Sequence, residues 1–115
     1  MESTDLARKV AEIAADKKAS DIVLLDIGRL TTIADYFVIC NGNSERQLKA
    51  ITDDVLEKLK KDDGIAPLHI EGTEGSGWIL LDYGSVIVHV FTPTERQYYK
   101  LESIWSEAPV VLRIL

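Results

Sequence analysis

The chain has 115 residues, of which 46% are hydrophobic and 28% charged, which suits one compact domain with a buried core and an ordinary polar surface. No apolar run approaches the roughly 18 residues of a membrane span, and the N-terminal MESTDLARKV lacks the basic-then-apolar order of a signal peptide. The single cysteine, Cys40, cannot form an internal disulfide. We therefore expect a protein of a reducing compartment, the cytoplasm.

The net charge of −6 arises from 13 basic and 19 acidic residues. A broad nucleic-acid contact requires the opposite sign, because neutralising phosphates supplies most of its affinity. The charge therefore disfavours direct binding to RNA or DNA. It is compatible with a basic protein partner, although solubility alone explains an acidic surface equally well.

The first part of the chain predicts a helix followed by two strands. Residues 4–19 have apolar side chains at helical spacing, with Ser3 or Thr4 as the capping residue. Residues 21–27 and 35–40 are rich in β-branched or aromatic side chains, which is typical of strands. Only about eight residues link the two strands, whereas a parallel crossover needs roughly a dozen or more, so we expect them to be antiparallel.

A second helix is expected between Ser44 and Gly64. Ser44 and Gln47 form a capping box, apolar residues follow at helical spacing, and glycine is a typical residue at a helix end. Three strands are expected next, at residues 67–71, 78–81 and 86–91.

The last helix is predicted to begin after Thr92, with Pro93 at its first position and Glu95 closing a second capping box. The side chains expected on its inner face are those of Tyr98, Leu101, Ile104 and Trp105. Residues 110–115, VVLRIL, are apolar with a single charge. They could either pack back on the domain or support a dimer.

The order of elements is therefore helix, two strands, helix, three strands, helix. It predicts an α/β fold over residues 1–115 as a single domain, with a mixed sheet of about five strands and about three helices.

Residues 77–91, GWILLDYGSVIVHVF, predict a hairpin that is apolar on both faces. A two-residue turn would give Tyr83 a positive φ, so a three-residue loop with a left-handed Gly84 is favoured. One face would then hold Trp78, Leu80, Val86, Val88 and Val90, and the other Ile79, Leu81, Ile87, His89 and Phe91. A slip of one residue would exchange these partnerships.

The two apolar faces of the hairpin allow two interpretations. Helices could cover both faces of the sheet. Alternatively, part of one face is open to a partner, with Trp78 and Tyr83 as aromatic anchors. Tyr83 is expected to be exposed at the hairpin tip, and His89 is expected to be a half-buried structural residue.

Residues that could support catalysis do not form a recognisable motif. His69, His89 and Cys40 lie far apart in sequence and lack the short ligand pairs of zinc sites, so no metal or cofactor is predicted. Cys40 has no neighbouring nucleophile signature and is expected to behave as a small apolar side chain in a strand.

A divergent magnesium-dependent nucleotidyltransferase is the alternative, enzymatic interpretation. Gly42 and Ser44 lead from a strand into a helix N-terminus, where free amides can hold phosphate, and Asp26, Asp35 and Asp82 each lie at a strand end. The carboxylate pair that holds magnesium in such enzymes is missing. A helix cap and hydrogen-bonded turns explain the same residues without chemistry.

Several segments together resemble the ribosomal silencing factor (Iojap-related) family, namely residues 18–51, 77–91 and 96–105. The resemblance covers nearly the whole chain. Its most specific stretches are Ala34–Phe37, Trp78–Val90 and Leu101–Trp105. Ser85 departs from the acidic residue that relatives often carry at the hairpin turn.

The resemblance implies a fold similar to that of nucleotidyltransferases but without their metal carboxylates. It also implies a non-enzymatic repressor of translation that binds the large ribosomal subunit through its fourteenth ribosomal protein and blocks joining of the small subunit when nutrients are scarce. A homodimer is possible, and neither a membrane nor a cofactor is expected. The residues carried over as partner-binding are Trp78, Asp82, Tyr83, Asp35 and Tyr36, although Asp35 could simply hold a turn.

Overall fold

The computed structural model describes residues 1–115 as one six-stranded sheet with helices packed on it. The strands are β1 (Ser20–Asp26), β2 (Tyr36–Asn41), β3 (His69–Glu71), β4 (Trp78–Asp82), β5 (Val86–Phe91) and β6 (Val110–Ile114). The helices are α1 (Ser3–Asp16), α2 (Glu45–Asp63), α3 (Pro93–Tyr99) and α4 (Leu101–Ile104). None of them is long and apolar enough to cross a membrane. The predicted α/β class is confirmed.

The sheet order is β3-β4-β5-β2-β1-β6, and β2 with β5 is its one parallel pair. β1 and β2 are antiparallel, as their short connection predicts. The sheet has six strands rather than about five, because the C-terminal tail pairs with β1, with Leu112 opposite Leu24. Of the two outcomes left open for the tail, packing back on the domain is the one observed.

The first face of the sheet is covered by α1 and α2. Val10 and Ile51 of these helices are fully buried in one cluster with Val88 of the central strands. This cluster of 20 buried residues, against 9 on the second face, is the main core. Burying one such aliphatic side chain contributes roughly 1.5–3 kcal/mol. Gly42 lets α2 approach β2 closely, because a Cβ there would lie 2.9 Å from the backbone nitrogen of Leu48.

The ends of α2 agree with the sequence. The Ser44 hydroxyl accepts a hydrogen bond from the N–H of Gln47 at 3.1 Å, and Gly64 ends the helix in the left-handed conformation. The Gln47 side chain accepts from the N–H of Asn43 at 2.7 Å, so it caps the turn one residue earlier than a standard capping box would.

The predicted cap of the first helix is wrong, whereas Thr92 does precede Pro93 at the start of α3 as predicted but lacks the expected side-chain bonds. The backbone of Glu2 is extended and α1 follows it directly, so Ser3 is already helical and neither it nor Thr4 is the cap. Thr92 makes no side-chain capping hydrogen bond at the start of α3, and the box predicted with Glu95 is not formed.

The last helix is broken into α3 and α4 at Lys100, whose φ of 47° is left-handed. The break interrupts the helical stripe expected from the sequence, so the predicted inner face is right for only half of its members. Leu101 and Trp105 pack against the sheet, whereas Tyr98 and Ile104 are 76% and 71% exposed.

The hairpin of β4 and β5 has the predicted left-handed glycine, Gly84, at φ 85°. Tyr83 still donates its N–H to the carbonyl of Val86 at 2.9 Å, so only Gly84 and Ser85 lie outside the ladder. The strands consequently pair one residue out of the predicted register, and the predicted faces are wrong. Trp78 and Leu80 share a face with Ile87, His89 and Phe91, and Ile79 and Leu81 share the other with Val86, Val88 and Val90.

Candidate partner-binding surface

The second face of the sheet carries a cluster of ring side chains, which we call the aromatic face. It consists of Phe37, Trp78, His89, Phe91, Tyr99 and Trp105. Trp78 stacks on Phe91 with ring centroids 4.9 Å apart and packs against Tyr99 at 4.6 Å. Such aromatic pairs contribute about 0.5–1.5 kcal/mol each beyond area burial, so ring packing stabilises this arrangement.

His89 is buried in this face, with 3% of its surface exposed. Its Nδ1 accepts a hydrogen bond from the Nε1–H of Trp78 at 3.3 Å, so the neutral imidazole carries its proton on Nε2. Burial lowers the pKa of His89 to about 3. The ring is therefore more deeply buried than the sequence suggested, and it serves as a neutral acceptor that orients Trp78.

Part of the aromatic face is open to solvent. Trp78 and Leu80 are half-buried and Tyr99 is 43% exposed, whereas Trp105 closes the other end by packing on Phe37 at 5.4 Å. The opening contains a cleft of about 220 Å³, lined by Glu71, Gly72, Ser76, Trp78, Leu80 and Tyr99. Helices thus cover the first face fully and the second only in part.

The five residues predicted to bind a partner do not lie on one surface. Trp78 and Asp82 alternate with Ile79 and Leu81 along β4 and lie on the aromatic face, whereas Tyr83 packs in the core under α1 and α2. The predicted exposure of Tyr83 is wrong, since only 9% of its surface is accessible. The alternation that places Trp78 on one face places Tyr83 on the other. Burial raises the pKa of Tyr83 to about 12, and its hydroxyl has no hydrogen-bond partner.

The other predicted residues, Asp82, Asp35 and Tyr36, form hydrogen bonds at one end of the sheet. The carboxylate of Asp82 accepts from the N–H of Gly84 at 2.7 Å, and the N–H of Asp35 donates to the carbonyl of Ser85 at 2.8 Å. The side chain of Asp35 is exposed, whereas the half-buried Tyr36 is hydrogen-bonded through its hydroxyl to α1 at 2.9 Å. Asp35 therefore does hold a turn, through its backbone.

The residues considered for a nucleotidyltransferase site lie at opposite ends of the sheet. Gly42 and Ser44 follow the end of β2, whereas Asp35 immediately precedes its start. The 6 residues of β2 therefore separate them by roughly 20 Å. Asp26 and Asp82 lie at the Asp35 end, where their carboxylates accept from turn N–H groups. No three His, Cys, Asp or Glu side chains lie together so as to hold a metal ion.

The isolated histidines and the cysteine are also far apart in the fold. Cys40 is fully buried in the main core, and burial raises its pKa to about 12, so its thiol stays protonated and packs as an apolar group. His89 is on the opposite face, and His69 is exposed on the edge strand β3. These residues do not meet.

Arg96 is a buried cation that sequence reasoning missed. Its Nε donates to Glu102 at 2.8 Å, and its Nη1 donates to Asn41 Oδ1 at 2.9 Å and to the carbonyl of Asp21. Asp21 lies at φ 45°, in an irregularity of β1. An adjacent polar cavity of about 480 Å³ includes Lys100 in its lining. Since acceptors of the chain itself satisfy two of the three nitrogens of the guanidinium, we assign Arg96 to joining the C-terminal helices to the sheet.

Sequence reasoning also missed Leu80 and Tyr99 as members of the open surface. The helical spacing of apolar residues predicted that Tyr98, rather than Tyr99, faces the sheet, because nothing in that spacing indicates the break at Lys100. The two-residue alternation did place Leu80 on the same face as Trp78, but it did not show that this part of the face is open to solvent.

The whole chain is similar to the members of one known protein family. Residues 1–114 match the model of a family described as ribosomal silencing factor during starvation. The chain is 42% identical over 111 residues to the ribosomal silencing factor RsfS of Halalkalibacterium halodurans, with 96% of this chain and 94% of that protein covered. It is 39% identical over 110 residues to RsfS of Bacillus subtilis, with coverage of 96% and 92%.

The fold is likewise similar to a solved structure. A crystal structure of a protein from Chromobacterium violaceum matches with a TM-score of 0.87 and 37% sequence identity, covering 92% of this chain and 88% of that one. The family match over nearly the whole length and the close relatives agree with the resemblance seen in the sequence. The chain belongs to the family of ribosomal silencing factors.

Proposed function

We propose that the chain is a non-enzymatic, cytoplasmic repressor of translation that binds the large ribosomal subunit through its fourteenth ribosomal protein. Bound there, it blocks joining of the small subunit sterically and lowers translation when nutrients are limiting. Family membership supports a ribosomal target. The observation that carries the proposal is the open part of the aromatic face, a preorganised apolar surface with an acidic border.

Trp78, Leu80 and Tyr99 form the apolar centre of the proposed contact. Aromatic residues at the centre of an interface commonly supply most of its binding energy. The indole of Trp78 is already held by ring packing and by its hydrogen bond to His89, so little side-chain entropy is lost on binding. Asp82 borders the same face and adds a negative charge.

The other predicted residues take lesser roles in this proposal. The exposed Asp35 lies beside the hairpin turn and makes a peripheral contact. Tyr36 and Tyr83 pack with the main core, so they support the hairpin rather than touch the partner.

The charge of the chain suits a basic ribosomal protein. A net charge of −6 attracts such a partner and raises the association rate, an effect that salt screens. The same charge keeps direct contacts with ribosomal RNA few.

The proposal is tested by light scattering of subunit joining, with the protein titrated against isolated large subunits before small subunits are added. We expect inhibition at micromolar protein, together with co-sedimentation with large subunits. Leu80→Asp should lose both, because it places a carboxylate in the apolar centre. Leu115→Asp, at an 89% exposed residue outside that face, is the matched control and should inhibit as well as the parent chain. Unchanged joining at micromolar concentrations of the parent chain would refute the proposal.

A homodimer remains a prediction. Sedimentation velocity over a range of concentration measures it directly. If the joining assay is run over the same range, a loss of inhibition as dimer forms would reveal competition between the two associations.

A further inference from the structure

Building on the proposed function, we infer that the cleft on the aromatic face is a receptor for one arginine side chain of the partner protein. The cleft lies where the β3–β4 connection meets α3, between Glu71 and Tyr99.

The size of the cleft favours a single side chain. Its volume of about 220 Å³ is below the roughly 300–1,000 Å³ of small-molecule pockets. The rings of Trp78 and Tyr99, tilted by 49° with centroids 4.6 Å apart, supply aromatic surface, and Leu80 adds an aliphatic one. Gly72, at φ 84°, keeps the connection tight against Trp78, because a Cβ there would lie 2.0 Å from the Trp78 carbonyl oxygen.

The charge of the cleft favours a cation. Glu71 pairs with Leu80 in the antiparallel register, so both side chains are on the aromatic face. Glu71 is exposed and has no salt bridge within the chain. None of the six residues that line the cleft is basic, so no positive charge in the lining opposes an incoming cation.

Aromatic surface beside a free carboxylate suits arginine better than lysine. A guanidinium stacks on aromatic rings and can bond both oxygens of a carboxylate, whereas an ammonium is a compact, strongly hydrated charge. The methylene groups of the arginine would lie along Leu80. The partner is thus expected to present an arginine next to an apolar patch.

The first experiment uses the chain alone, with N-acetyl-arginine amide as the probe and its neutral analogue N-acetyl-citrulline amide as the control. Chemical shifts of the Trp78 indole N–H and of the Gly72 and Tyr99 amides are followed by NMR at millimolar probe. We expect saturable shifts with the arginine derivative, at least about threefold weaker binding of the citrulline derivative, and loss of this difference in Glu71→Gln. Equal shifts with both probes, or no shifts at these three residues, would overturn the assignment.

The second experiment measures affinity for isolated large subunits. Glu71→Lys should weaken binding on the order of tenfold or more, and Glu71→Gln by a smaller factor. Glu57→Lys, an equal charge change at an exposed residue of α2, is the control and should lie within about threefold of the parent chain, because it alters only the overall charge.

The two experiments separate the arginine receptor from the ribosomal proposal. If the parent chain does not bind large subunits, the proposed function fails and the NMR titration still decides the chemistry of the cleft. If the parent chain binds and Glu71→Lys binds no worse than Glu57→Lys, the arginine receptor is refuted while the proposed function stands.

Discussion

The indole N–H of Trp78 and Nδ1 of His89 are joined by a 3.3 Å hydrogen bond between the neighbouring strands β4 and β5. The bond sets the tautomer of a buried imidazole and the orientation of the indole at the open cleft. The protonation state of one residue is thereby coupled to the geometry of the proposed contact surface.

Acid should destabilise the chain through His89. Its pKa is about 3 in the folded chain and near 6.5 when unfolded, so below pH 6.5 the unfolded chain takes up a proton that the folded chain does not. The stability is present above pH 6.5 and is lost as pH falls toward 3, by about 2 kcal/mol at pH 5. Urea denaturation at pH 7 and pH 5 measures this difference.

Two histidine variants isolate this contribution. His89→Gln should remove most of the loss between pH 7 and pH 5, whereas His69→Gln, at an exposed position, should keep it. An identical pH dependence in the two variants would show that carboxylates account for the whole effect.

Replacing Trp78 by phenylalanine should cost about 1–3 kcal/mol in the free energy of unfolding. A smaller aromatic ring remains, but the buried Nδ1 of His89 loses its donor. Trp105→Phe is the control, since it makes the same change in a half-buried indole that packs on Phe37 and makes no hydrogen bond to His89. Equal losses in the two variants would mean that ring size, not the hydrogen bond, sets the cost.

Tyr83 should be tolerant of losing its hydroxyl and intolerant of losing its ring. Tyr83→Phe removes a buried polar group without a partner, so stability should stay equal or rise. Tyr83→Ala should cost about 3–5 kcal/mol, as for other buried aromatic residues. If Tyr83→Phe retains full stability yet binds large subunits more weakly, the hydroxyl takes part in the contact after all.

In the hairpin, some structural features could be predicted from the sequence and others could not. The strands and the left-handed Gly84 follow from local chemistry, and so does the apolar character of both faces. The register does not, because it depends on whether Tyr83 continues the ladder. That choice is made by burial of the tyrosine ring in a core contributed by α1 and α2. A one-residue difference then exchanged every facing partner and separated Trp78 from Tyr83.

The C-terminal region is a second case. Pro93 as the start of α3 was predictable from its fixed φ. The left-handed Lys100 was not, since lysine has no preference for that conformation. Arg96 was equally hidden, because its acceptors on Asp21 and Asn41 are far away in sequence.

Arg96→Met should destabilise the fold by about 1.5–3 kcal/mol, because the change removes charge-assisted hydrogen bonds to the partly exposed Glu102 and to the carbonyl of Asp21. Arg113→Met is the matched control. Arg113 is exposed, its ion pair with Asp21 spans 3.0 Å, and its loss should cost at most about 1 kcal/mol. Chemical denaturation distinguishes the two, and similar costs would contradict a structural role specific to Arg96.

Titration calorimetry with ATP and magnesium should give no saturable heat. The N-terminus of α2 is already occupied by the side chains of Ser44 and Gln47, and the carboxylates of Asp26 and Asp82 are at the far end of the sheet. Magnesium-dependent binding that is abolished by Ser44→Ala would instead support the nucleotidyltransferase alternative.

The parallel pairing of β2 with β5 brings Phe37 beside a hairpin that is synthesised some fifty residues later. Tyr99 and Trp105 join the same face later still. No short segment of a growing or partly unfolded chain can form this surface alone, because the surface requires contacts between residues that are far apart in sequence. A chain cut before residue 99 would retain the Trp78 motif and lack the cleft. Recognition through this face would thus report that the chain has been made and folded at least as far as Trp105.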